Sequence, residues 1–252
     1  MTDDVWEPLV RELDRWREAG RKARFWLRDD DAIEPTEALE KLIAATKAKA
    51  VPLALAVIPA QTGEALARRL SGETLVSVAV HGWSHENHGG EGGKKQELGC
   101  QRLLETVLGE LYRGELMLRQ LHPDRFVPVL VPPWNRIDTA LVPMLPALGF
   151  QALSVYGRAK AGSPLRLVNT HVDIIDWHGT RGGRPFADLV RELVAELQDR
   201  FAGNEEPIGV LTHHLVHDAA AWDFLAELFA LTGDHPAAAW TSVPALLRLR
   251  AR

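Results

Sequence analysis

Three consecutive carboxylates, Asp29-Asp30-Asp31, repel one another, so at the end of a strand they need a cation or a nearby arginine such as Arg28 to offset their charge. Taken alone, the run also reads as a solvated turn or a helix-cap cluster. His81 and His85 are four residues apart. That spacing sets two imidazoles on one side of a compact turn and suits a tetrahedral Zn²⁺. One carboxylate plus two imidazoles leaves coordination positions open for water and substrate, which is the layout of a catalytic centre. Farther along, Asp176-Trp177 and His213-His214 offer a second carboxylate and another imidazole. A carboxylate that accepts a hydrogen bond from an imidazole raises its pKa and fixes its tautomer, as a general acid requires. The one cysteine, Cys100, excludes an intramolecular disulfide and every Cys-rich metal motif, so a metal here rests on His and carboxylates.

These residues stand where strands are expected to end. Val5, Leu9, Leu13 and Trp16 recur at helical spacing, closed by Gly20. Apolar runs at 24–27, 52–58, 74–80, 126–131 and 208–211 predict strands, and helical patterns fall at 37–47, 63–70, 96–121, 185–201 and 219–231, with a last helix after Ser242. Shorter strand candidates lie at 151–156, 165–168 and 172–175, and His217-Asp218 reads as a helix-start cap. Strand and helix alternate without a linker-like stretch or internal repeat, which predicts one α/β domain over residues 1–252 with a largely parallel sheet. Polar groups follow several strands, as in barrels that gather their sites from C-terminal strand ends. No Gly-rich nucleotide-binding loop follows any strand.

Taken in order, the segments 27–32, His81-Gly82-Trp83-Ser84-His85, Val131-Pro132-Pro133-Trp134, Asp176-Trp177 and Leu211-Thr212-His213-His214 resemble the five motifs of the polysaccharide deacetylase superfamily, the NodB-like carbohydrate esterases. The resemblance implies a distorted (β/α) barrel of the polysaccharide deacetylase type. It also implies Asp30 as general base, Asp31, His81 and His85 as ligands of a divalent metal, zinc before other transition metals, and His213 as general acid supported by Asp176. The register Asp29-Asp30 remains the alternative, since a one-residue shift turns side chains to the opposite face of a strand. Gly82 stands where the second motif usually has a hydroxyl residue, the arginine of the third motif is absent, and His214 replaces the Asp of the fifth. Arg28 or Arg136 is the candidate replacement for that arginine. Trp134 is expected beside the reacting centre, and Trp83, Pro133, Trp134, Asn135, Trp177 and His214 are expected to contact substrate.

The implied activity is metal-dependent removal of an N-acyl group, N-acetyl first, from an amino sugar. The expected partner is an N-acetylated saccharide or a carrier-linked glycan precursor. Two alternatives stand beside it: an amidohydrolase of the same fold acting on a small non-sugar amide or imide, and a glycan-binding protein with weakened catalysis. Composition agrees with a soluble enzyme: 252 residues, 46% hydrophobic, 25% charged and a net charge of -5. That balance argues against a nucleic-acid partner. The acidic start and the lack of an eighteen-residue apolar run predict a cytoplasmic protein without a membrane span.

Overall fold

Fully buried apolar runs become strands and amphipathic runs become helices, in the order α1 (Glu7–Glu18), β1 (Ala23–Ala32), α2 (Glu37–Ala48), β2 (Leu53–Val57), α3 (Glu64–Leu70), β3 (Val76–His81), α4 (Leu104–Leu121), β4 (Phe126–Val131), β5 (Ala152–Leu153), β6 (Arg166–Leu167), β7 (Val172–Asp173), α5 (Phe186–Phe201), β8 (Ile208–Thr212), α6 (Ala219–Gly233), β9 (Ala238–Trp240) and α7 (Val243–Arg248). The structure, a computed structural model, describes residues 4–249. Named strands pair in parallel within each of two compact units, the α/β arrangement expected from the alternation of elements. No described helix is long and apolar enough to cross a membrane.

One unit comprises the chain up to Asp29, Thr36–Leu53 and Thr170–Ser242. Here β1 pairs with β8 in a register running from Phe25↔Ile208 to Asp29↔Thr212, and β7 lies on the other side of β8. On its opposite edge β1 pairs with β9, which the sequence reading had not anticipated. Helices α1 and α5 pack together, with Leu9 and Leu13 fully buried and Trp16 edge-on to Phe201 at 5.4 Å. Each such buried side chain contributes about 1.5–3 kcal/mol of hydrophobic stabilisation. Asp218 caps α6 by accepting from the Ala221 N–H, and this bond with that from Gly183 lowers its pKa.

The second unit comprises Asp30–Pro35, Ala54–Asn169 and the chain from Val243. Its strands follow the order β6-β5-β4-β3-β2. The register of β3 on β4 shifts between Val78 and Val80, then aligns His81 with Val131. The helix expected over 96–121 begins only at Leu104. Gly99 weakens helix propagation by about 1 kcal/mol, and Leu98 pairs instead with Ile137. The strand expected to stop at 27 continues to Ala32, so the three aspartates lie within β1.

His122, just past α4, is buried, and its Nε2 has no hydrogen-bond partner among the described residues. Burial pushes its pKa down to about 4. The unfolded chain therefore binds a proton near the ordinary pKa of 6.5 while the fold resists until about 4, so stability is lost as pH falls through that window. Urea titrations should show the protein losing about 2 kcal/mol more between pH 7 and 5 than His122→Leu does. Parallel stability profiles would remove His122 as the cause.

Candidate active site

The second unit brings one oxygen of Asp31 and one nitrogen each of His81 and His85 within 4.8 Å of one another. Asp31 Oδ1 lies 3.0 Å from His81 Nε2 and 3.3 Å from His85 Nε2. Donors bound about 2.1 Å from a common cation at tetrahedral or octahedral angles stand about 3.0–3.4 Å apart, so the spacing fits. The hydrogen bonding of His81 fits as well. Its Nδ1 lies 2.9 Å from the Val131 carbonyl, which only accepts, so Nδ1 carries the proton. Nε2 then faces a carboxylate, an arrangement that calls for a second proton or a cation on that nitrogen.

Electrostatics point the same way. Burial lowers the His81 pKa, but Asp30 and Asp31 outweigh it and hold it above its ordinary value. Burial, and then the neighbouring His81, holds His85 below. The carboxylates thus favour positive charge beside His81.

Backbone strain concentrates at the same place. Of the six described non-glycine residues with positive φ, four are Asp31 (72°), His85 (59°), Trp134 (55°) and Asn135 (57°). Such conformations cost of order 1–3 kcal/mol each and persist where the surroundings impose them. The Trp134 ring lies 4.4 Å from that of His85, and the Lys95 ammonium stands 5.9 Å from the indole. Trp83 carries the Arg113 guanidinium over its ring at 4.9 Å.

In the first unit, β8 delivers His213 and His214. The His213 ring meets Trp177 edge-on at 4.6 Å, and the indole N–H donates to Asp173 Oδ2 at 2.8 Å. His214 is buried and engaged by Asp29: its Nδ1 lies 2.5 Å from Asp29 Oδ1 and its backbone N–H donates to Asp29 Oδ2 at 2.8 Å. Burial raises the Asp29 pKa, with His214 opposing. Thr212 Oγ1 and His217 Nε2 are hydrogen-bonded, and burial, then His214 and His213, pushes His217 down to about 3.

Further residues of the five segments are engaged by their own surroundings. Asp176 turns its carboxylate to the N–H groups of Gly179 and Thr180 at 3.0 and 3.2 Å, closing its own loop instead of supporting His213. Pro133 is buried with its ring close to Gly82. Arg136 donates to the Lys95 carbonyl at 2.8 Å, while Arg28 is fully buried in β1. The sequence reading missed Asp29 as the partner of His214, Asp173 as the partner of Trp177, and Glu97. Glu97 had been placed inside a helix.

Neither a family model nor a curated protein matches the chain. Solved structures do. The chain is similar to a protein from Mycobacterium smegmatis assigned as a polysaccharide deacetylase, with 16% identity, 90% of each chain covered and a TM-score of 0.66. It is similar to a peptidoglycan N-acetylglucosamine deacetylase in complex with 4-naphthalen-1-yl-N-oxidanyl-benzamide, at 18% identity over 91% of this chain and 94% of that one, TM-score 0.58. A family 4 acetyl xylan esterase from Clostridium thermocellum in complex with a cobalt ion gives 11% identity, 88% and 89% coverage and a TM-score of 0.51. The fold is therefore that of the polysaccharide deacetylases and family 4 carbohydrate esterases, the class expected from the five sequence segments.

Proposed function

We propose that the chain is a metal-dependent hydrolase of the polysaccharide deacetylase superfamily, acting as one catalytic domain to remove an N-acyl group, N-acetyl first, from an amino sugar. The observation that carries this reading is the convergence of Asp31, His81 and His85 in a fold shared with polysaccharide deacetylases and family 4 carbohydrate esterases. These three residues would hold a divalent cation, zinc or another transition metal. When bound it would acidify a coordinated water and polarise the acyl carbonyl.

Asp30, buried on β1 beside Asp31, accepts the proton of the attacking water as its oxygen adds to the acyl carbon. Arg28 stands two residues before Asp30, on the same strand face by the alternation of side chains, and replaces the missing third-motif arginine in orienting it. The backbone N–H of Trp134 serves the developing oxyanion, worth about 3–4 kcal/mol in comparable sites. As the C–N bond breaks, His213 gives its proton to the leaving amine, and a carboxylate and a free amine result. Trp177, held edge-on to His213 by Asp173, and Trp83, Trp134 and Asn135 present aromatic and amide surface to the sugar.

The test begins with the metal content of the purified protein and continues with acetate release from N-acetylated saccharides and from small non-sugar amides and imides. About one cation per chain and acetate release that stops on chelation are expected. Protein free of metal that releases no acyl group from any amide sinks the reading. A second reading, glycan binding with weakened catalysis, draws on the engagement of Arg136 with the Lys95 carbonyl. Saccharide binding without acetate release in cation-replete protein would favour it.

A further inference from the structure

We propose that Glu97 is a positioning residue that locks the 81–85 turn in its ligand-presenting shape. The proposal rests on the reading that His81 and His85 hold a cation. Bringing two histidines four residues apart onto one point requires a sharp turn, and Gly82 and His85 both adopt φ near +59°. Such a turn leaves the backbone N–H groups of Trp83 and Ser84 facing inward, away from any strand partner. One atom satisfies both: Glu97 Oε1 accepts from the Trp83 N–H at 3.1 Å and the Ser84 N–H at 2.7 Å, and the Ser84 hydroxyl lies at 3.3 Å.

The second oxygen fills the space that a side chain at position 82 would need. A Cβ on Gly82 would lie 2.1 Å from Glu97 Oε2 and 2.7 Å from two atoms of the Pro133 ring. The absence of the hydroxyl residue usual in this motif and the presence of a buried glutamate fifteen positions later are thus two halves of one substitution. A hydroxyl within the turn is exchanged for a carboxylate reaching in from outside it.

Glu97 is itself anchored. The Asp138 N–H donates to the Leu98 carbonyl at 2.8 Å, the His88 N–H to the Gln96 carbonyl at 2.9 Å, and the Gln96 N–H to Asn87 Oδ1 at 3.0 Å. Glu97 has no exposed surface, and its Oε2 has no hydrogen-bond partner among the described residues. Burying a carboxylate in that state is costly, so a role confined to filling space would be better met by an apolar side chain. Loss of a group that orients a metal ligand typically weakens metal binding about 10–100-fold.

The experiment titrates Co²⁺ into the metal-free full chain, read by visible absorption with chelator competition, alongside hydrogen exchange of the Trp83 and Ser84 amides. Glu97→Ala is expected to weaken Co²⁺ binding about 10–100-fold and to speed exchange of those two amides at least about tenfold. Glu97→Gln keeps an acceptor oxygen and should stay within about fivefold of the parent. Glu115→Ala, which removes a buried carboxylate on α4 that pairs with Arg119, should lower the melting temperature without changing Co²⁺ affinity.

Glu97→Ala with parental affinity and parental exchange overturns the proposal, as does an equal loss of affinity in Glu115→Ala. If Glu97→Ala does not fold, Glu97→Leu, which fills the same space without an acceptor, decides: unaltered exchange at Trp83 and Ser84 would overturn the lock, and faster exchange confined to those amides would support it. If the parent binds no Co²⁺, the metal reading falls by itself, and amide exchange alone still judges Glu97.

Discussion

On the proposed reading, Asp31→Ala is expected to abolish cation binding and with it deacylase activity. Both imidazole Nε2 atoms face the same oxygen of Asp31, at 3.0 and 3.3 Å, so its loss leaves two neutral donors with no anionic ligand between them. Lewis-acid activation supplies several kcal/mol of transition-state stabilisation, so kcat/KM should fall by about 10³-fold or more. Metal stoichiometry should drop from about one per chain to near zero. Folding stability should change little, because the substitution relieves repulsion from two neighbouring carboxylates while alanine tolerates φ 72° less well than aspartate. Asp31→Asn separates charge from conformation: asparagine tolerates positive φ equally well, so its residual metal affinity measures what the charge contributes. A cation that stays bound in Asp31→Ala, with activity intact, would place the centre elsewhere.

The placement of these residues at or near the C-terminal ends of strands was legible because each follows a short apolar run bounded by polar residues, and spacing within a turn survives in the sequence. The register of the aspartate triplet came from the resemblance, which favours Asp31 as ligand, and not from the pattern of residues itself. It turns on one positive φ at Asp31, which lets consecutive carboxylates serve different partners: Asp29 binds His214, and Asp31 meets His81 and His85. Strict alternation would have put Asp29 and Asp31 on the same face.

The segment around Glu97 was hidden for another reason. Residues 96–121 carry helical periodicity throughout, but pairing of Leu98 with Ile137 and capture of the Trp83 and Ser84 N–H groups outweigh helix propensity over the first turns. Strand β9 was invisible because Ala238 and Ala239 carry no β signal of their own, and pairing with β1 creates it. Asp176-Trp177 was found in sequence, yet the carboxylate that holds the indole belongs to Asp173, four residues earlier and outside any recognised motif.

His213 and His214, adjacent in sequence, are expected to fail in opposite ways when replaced. His213 is half-buried against Trp177 and is the proposed donor of a proton to the leaving amine, so His213→Ala should lower kcat by about 10²–10⁴-fold while metal content and melting temperature hold. His214 is enclosed with Asp29, each at most 1% exposed, and the pair is joined by a ring bond and a backbone bond. Removing the imidazole strands a buried carboxylate, which costs about 3–5 kcal/mol, so His214→Ala should reveal itself in urea unfolding first. Losses from His214→Ala and Asp29→Ala should not add in the double variant, because the second change removes the group that the first left unpaired. Should His214→Ala instead keep its stability and lose kcat, the acid would be His214, and the Asp29 carboxylate would be its orienting partner in place of Asp176.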